Sequence, residues 1–285
     1  MKLKVFKVLW GMHGDTPEEQ MKLIKEAGYD GVEGGIMPFD GPRYLEHIAR
    51  YELEHIPMIM TEGPDHLASF RSQLKVFASW KPLQITSLSA KDNLPIREQI
   101  AFFRGALEAE QEYGVPVAHE TQRGRALCNP WSTAEILDAV PGLKLAADFA
   151  HWMCVCESTL EDYPEVAIAC ERALHLHGRI GYEQGPQVPD PRAPEYQRHV
   201  ERHEALWDMV LAAHRRAGRT TLTFDPDFGA PDYMHTLPYT RQPVASLWDI
   251  TLWMADRFRR RFAAADGIGQ ALGADRNEPG VRASS

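Results

Sequence analysis

The sequence predicts a single α/β domain, a (β/α)₈ or TIM barrel. Two observations predict it. Short apolar, β-rich runs alternate eight times with longer amphipathic runs, and alternating β and α units imply a parallel sheet. The 285 residues also match the roughly 250 that such a barrel needs, leaving no second domain. A doubly wound open sheet is the competing arrangement. The first turn, Gly11-Met12-His13-Gly14, lacks its G-x-G-x-x-G phosphate fingerprint.

The elements follow in order. Residues 3–10 (LKVFKVLW) are β formers. Thr16-Pro17-Glu18-Glu19 opens a helix: threonine caps it, proline suits its first position, and Glu19 reaches back in a capping box. That helix runs to Ala27 and stops at Gly28. Residues 29–36 form a strand and 41–51 a helix; 55–61 form the third strand and 65–80 its helix. Residues 83–89 are strand four, followed by a helix over 95–113. Residues 115–120 (VPVAHE) are strand five. Ser132-Thr133-Ala134-Glu135 reads as a second capping box and opens a helix to Val140. Residues 143–148 are strand six, with a helix over 163–171. Residues 173–177 (ALHLH) are strand seven, with a helix over 196–216. Residues 220–224 are strand eight, and a helix over 244–262 closes the domain. From Asp266 the chain turns Gly/Ala/Asp/Arg/Ser-rich and loses periodicity. The expected division is therefore a barrel over 1–265 and a solvated, mobile tail over 266–285.

Composition narrows the function. The net charge of −9 argues against nucleic acid as a partner, which needs a basic footprint. Four cysteines in so long a chain make no disulfide framework and favour a reducing cytoplasm. Lysines interrupt the apolar run at the N-terminus, so no signal-peptide core appears there. No stretch reaches the ~18–20 apolar residues of a membrane span. A small-molecule substrate is the expected partner.

Such barrels place their active sites at the C-terminal ends of the strands. Strand five ends His119-Glu120, and strand six runs into Asp148-Phe149-Ala150-His151. Strand seven is closed by His175-Leu176-His177, and strand eight runs into Asp225-Pro226-Asp227. Each residue has an ordinary explanation. A strand-end Asp or Glu can cap the next helix, and His175 and His177 face one side, so one of them can be a core histidine. Four such endings in succession point instead to a divalent-ion site, because carboxylates plus one imidazole suit Mn²⁺, Mg²⁺, Co²⁺ or Zn²⁺.

These residues carry a resemblance. Glu120, Asp148-x-x-His151, His175-x-His177 and an acid after strand eight resemble the sugar isomerase/epimerase family of xylose isomerase-like barrels, in the superfamily of AP endonuclease family 2. The strings HETQRGR (119–125), ADFAHW (147–152), HGRIGYEQGPQVPDPR (177–192) and DPDFG (225–229) are similar to those of one bacterial subgroup. The resemblance covers residues 2–262. It implies a metal held by Glu120, Asp148, His177 and Asp227, with Mn²⁺ favoured. The family usually carries Glu at the last position. Asp is one methylene, roughly 1.5 Å, shorter, and Asp225 is the competing ligand.

The resemblance implies isomerisation or epimerisation of a ketose or related hydroxy-ketone, by proton transfer through an enediolate that the metal stabilises. Glu120 and Asp227 would exchange the proton, and His151 would steer a substrate oxygen. Trp10, His13, Glu33, Glu62, Arg179 and Glu183 are candidate substrate-binding groups, with Lys91 a weaker one. Each has a plainer role as a surface or capping group. The long loop over 185–194 is expected to cover the substrate, with Tyr233, His235 and Tyr239 closing the other side. Members of the family often form homodimers. A metal-dependent lyase or dehydratase on an oxidised sugar or inosose is the first alternative, and a non-catalytic metabolite-binding barrel the second. A three-metal nuclease would need histidines where strands three and four end in Thr61-Glu62 and Ala90-Lys91.

Overall fold

The computed structural model describes residues 1–12, 16–34 and 40–274; of 266–274 only the backbone is described. Eight parallel strands close into a barrel in sequence order. They are β1 (Lys2–Val8), β2 (Gly31–Gly34), β3 (Glu54–Met60), β4 (Ile85–Leu88), β5 (Val117–Glu120), β6 (Leu145–Ala147), β7 (Ala173–His177) and β8 (Thr221–Asp225). β1 closes against β8, with Leu3 opposite Leu222. The helices are α1 (Pro17–Glu26), α2 (Gly41–Arg50), α3 (His66–Ser79), α4 (Ile96–Tyr113), α5 (Pro130–Ala139), α6 (Phe149–Cys156), α7 (Glu165–Arg172), α8 (Gln197–Arg216) and α9 (Leu247–Ala274). None among the described residues is long and apolar enough to cross a membrane.

Local chemistry explains the boundaries. Thr16 caps α1 as expected: Glu19 N–H donates to Thr16 Oγ1 at 3.3 Å, and Thr16 N–H donates to Glu19 Oε2 at 2.9 Å. Such a cap contributes about 1 kcal/mol. The α5 cap differs from expectation. Asn129, not Ser132, is the N-cap, accepting from Ser132 N–H at 2.9 Å. Pro130 then takes the first helical position, which its fixed φ suits. A second difference lies after β6. α6 begins at once at Phe149, capped by Asp148, so two helices separate β6 from β7. Apart from His151 the run FAHWMCVC is apolar, so no amphipathic period marked it as a helix. α9 runs on past Phe262 to Ala274. Part of the expected tail is thus helical, and 275–285 lie outside the described residues.

The core packs between barrel and helices. Phe224 of β8 stacks on Phe258 of α9 with ring centroids 3.9 Å apart, and Trp207 of α8 meets both edge-on. α4 ends at Gly114, whose φ of +66° is a left-handed cap that glycine takes without strain. This shell leaves the C-terminal strand ends free to carry polar groups.

Candidate active site

Four strands deliver one charged cluster. Glu120 closes β5, Asp148 follows β6, His177 closes β7 and Asp227 lies two residues past β8. Ligand-capable atoms of these four buried residues all lie within 4.8 Å of one another.

Each side chain is held by its own neighbours. Thr121 bridges β5 and β6, its hydroxyl donating to Asp148 O and accepting from Asp148 N–H. As the α6 cap, Asp148 accepts from Ala150 N–H through Oδ1 at 2.9 Å. Its Oδ2 has no hydrogen-bond partner. Burial, opposed by Arg179, pushes the Asp148 carboxyl up to about 7. His177 points Nε2 at Glu33 Oε1, 3.1 Å away. Its Nδ1 faces Asp227 at 3.4 Å and Glu120 at 3.6 Å without a hydrogen bond. Burial opposes the charged imidazole, but Glu33, Asp227 and Glu120 together hold it well above the ordinary histidine range.

Asp225 and Asp227 part company. Asp227 N–H donates to Asp225 O at 2.8 Å, a three-residue turn that carries Asp227 off the strand. Asp225 stays in β8, fully buried, with neither carboxylate oxygen hydrogen-bonded. Burial, reinforced by Glu33 and Asp227 and opposed by Lys7, holds its carboxyl well above the usual range. Lys7 is itself buried and donates to Val8 O. The cluster contains Asp227 and not Asp225.

Arg179 enters the same cluster. Its Nη2 donates to Asp227 Oδ2, and its Nε lies 3.2 Å from Asp148 Oδ2. Nη1 and Nε have no hydrogen-bond partner. His151, one helical turn past Asp148, is fully buried, 3.5 Å from Asp148 and 3.9 Å from Glu120. Neither of its nitrogens has a hydrogen-bond partner. Burial, with Arg179 and Arg123 adding, keeps it well below the ordinary range and therefore neutral.

A cavity of about 490 Å³ opens over the cluster, within the size range of small-molecule sites. Glu120, Gln122, Arg179, Asp227 and Tyr233 line one part. Trp10 also lines it, edge-on to Tyr233 at 4.9 Å, with Arg179 over both rings.

The other sequence candidates fall elsewhere. Glu33 is buried in the barrel, accepting from Thr86 and bonded to His175 and His177; it does not line the cavity. Its carboxyl is held well below the usual range because the two imidazoles outweigh burial. Glu62 and Lys91 are exposed. Glu183 pairs with Arg198 and His199 at the start of α8. His13 lies outside the described residues. His119 is structural, bonded to Ser89 and Glu110. Of the loop over 185–194, Gln187 grips the backbone of Gly229 through both its amide atoms. His235 and Tyr239 are exposed. Gln122 and the aliphatic lining of β3 and β4 were not expected, although Met58 and Met60 alternate on one face of their strand.

The donor set fits a divalent cation. Three buried carboxylates and one imidazole converge on one point, where Asp148 Oδ2 and His177 Nδ1 have no hydrogen-bond partner. Oxygen donors with a single nitrogen suit a hard or borderline ion.

No protein-family model matches the chain, and no curated protein matches it. Its fold is similar to that of solved TIM barrels, among them proteins described as xylose isomerase-like. Three solved structures illustrate the breadth. A D-allulose 3-epimerase from Methylomonas sp., in complex with D-allulose, is 15% identical over 91% of this chain and 97% of its own, with TM-score 0.57. An AP endonuclease, family 2, from Brucella melitensis is 15% identical over 89% and 98%, also with TM-score 0.57. A probable 3-DHS dehydratase from Bacillus anthracis is 15% identical over 90% and 98%, again with TM-score 0.57.

Proposed function

We propose that the chain is a divalent-metal-dependent isomerase or epimerase of a ketose or related hydroxy-ketone, acting by proton transfer beside the carbonyl. The observation that carries this reading is the convergence of Glu120, Asp148, His177 and Asp227, of which Glu120 and Asp227 line the cavity. Glu120, Asp148, His177 and Asp227 would hold a divalent ion, with Mn²⁺ favoured, which would supply polarisation of a carbonyl and stabilisation of negative charge on its oxygen.

The chain's own residues supply the rest. Glu120 and Asp227 both line the cavity and are the two groups placed to remove and return a proton at the neighbouring carbon. His151, neutral and unpartnered, directs a substrate oxygen. Arg179 Nη1 lacks a partner and donates to another. Trp10 and Tyr233 line the cavity and would flank the substrate. The test is solvent deuterium uptake by a ketose or hydroxy-ketone panel. Uptake at the carbon beside the carbonyl, lost in Glu120→Gln, supports the reading. No uptake from any member refutes it.

A dehydratase or lyase is the second reading, favoured by the Arg179–Asp227 pair. The guanidinium engages Asp227 Oδ2, which leaves that oxygen less free to return a proton. Elimination needs only one base. Loss of water or an alcohol alongside deuterium uptake would select it.

A further inference from the structure

The two sides of the cavity differ in chemistry. The ends of β5, β7 and β8 bring charge and hydrogen-bonding groups, whereas β1, β3 and β4 bring Val8, Leu9, Met58, Met60 and Leu88. Among the described residues, the acidic and basic side chains nearest those strands are engaged elsewhere or exposed. Glu33 is committed to His175, His177 and Thr86, and Glu62 and Lys91 are exposed. A hydroxyl set against the five aliphatic chains would give up water and receive nothing in return. An apolar ring set there would gain by leaving water. Two methionines side by side suit a flat ring, because the thioether chain adapts its shape and its sulfur contacts aromatic edges favourably.

We propose that the substrate is an α-hydroxy ketone with two adjacent oxygens at the acidic side and an apolar, aryl-sized body on Met58, Met60 and Leu88, not a free polyhydroxylated ketose. The proposal narrows the substrate class of the function proposed above and rests on that reading for its oxygen-bearing end. The apolar end stands on the cavity wall alone.

The experiment is isothermal titration of the full chain, supplemented with Mn²⁺, with three probes. 2-Hydroxyacetophenone and dihydroxyacetone share the hydroxy-ketone head, and only the first has an aryl body. D-Fructose is polyhydroxylated. The expected result is binding of 2-hydroxyacetophenone about ten-fold or more tighter than either other probe. Met60→Gln, on the half-buried member of the pair, should erase most of that preference. Met58→Gln should do the same, with a thermal melt confirming that each variant is folded. Equal or tighter binding of D-fructose, no binding of the aryl probe, or an unchanged preference in both folded variants would overturn the proposal. Deuterium exchange at the hydroxymethyl carbon of the bound aryl probe separates the two claims. Selective binding without exchange sinks the enolisation reading and leaves the apolar subsite standing. Exchange without aryl preference does the reverse.

Discussion

His177 stands between two carboxylates: its Nε2 is hydrogen-bonded to Glu33 Oε1 at 3.1 Å, and its Nδ1 faces Asp227 Oδ2 at 3.4 Å. Glu33 thereby selects which nitrogen faces the acidic cluster. It also takes a hydrogen bond at 2.7 Å with His175, whose other nitrogen meets Thr223. The ring cannot turn without breaking this chain of bonds. An outer carboxylate of this kind orients a ligating imidazole and raises its basicity.

Glu33→Gln should therefore weaken Mn²⁺ binding by about 10–100-fold while leaving all four cluster residues in place. Titration of the metal-free variant by calorimetry measures it. Unchanged affinity would show that Glu33 plays no part in presenting His177.

Arg179 is the counter-charge for Asp148 and Asp227. Arg179→Met leaves two buried carboxylates facing each other, and removing one member of a buried pair costs about 3–5 kcal/mol. In a chain of this size the melting temperature should fall by roughly 5–15 °C in chelator. Added Mn²⁺ should then raise the variant's melting temperature more than the parent's, because the cation replaces the lost guanidinium. Equal shifts in the two proteins would contradict this.

The barrel was legible because eight short apolar runs alternate with amphipathic ones, and strand ends are where such barrels place polar side chains. The choice between Asp225 and Asp227 was not legible. Strand alternation puts both on one side, but the chain leaves the strand at Pro226, and the turn from Asp225 O to Asp227 N–H separates them. Glu33 was equally hidden. It lies at a strand end like a rim residue, yet its partner His175 is 142 residues away, and no local pattern reports that pairing. Asp148 and His151 were visible as neighbours. Their geometry depends on α6, whose sequence is apolar apart from His151 and so disguised a helical turn.

His203 offers a test of stability against pH away from the cluster. It is fully buried on α8, accepts from Gly181 N–H at 3.3 Å and is bonded to His199 O. Burial pushes its pKa down to about 4, with the His199 carbonyl opposing. The unfolded imidazole, near 6.5, binds a proton that the folded one refuses. Stability from this group is complete above pH ~6.5 and falls as the pH drops toward about 4. The loss should approach about 2 kcal/mol between pH 7 and 5. Urea unfolding of the parent and His203→Asn at both pH values measures it. The variant should show the smaller difference, and identical differences would exclude His203 as the source.

Gly229 sits where an added Cβ would strike the Trp10 indole. Gln187 holds the Gly229 backbone on both sides, so the backbone cannot retreat and the indole must. Gly229→Ala should shift tryptophan emission to longer wavelength and weaken cavity ligands several-fold, with a melting temperature close to the parent's. Unaltered emission would show that Trp10 is not confined by this contact.

The proposed function stands on Glu120, Asp148, His177 and Asp227 holding one divalent ion. Metal content per chain, by mass spectrometry on protein purified without chelator or affinity metal, tests it most directly. The expected result is about one divalent ion per chain, lost in both Glu120→Gln and His177→Ala. No bound metal, with none taken up on titration with Mn²⁺, Co²⁺ or Zn²⁺, would contradict it, as would variants that hold metal like the parent.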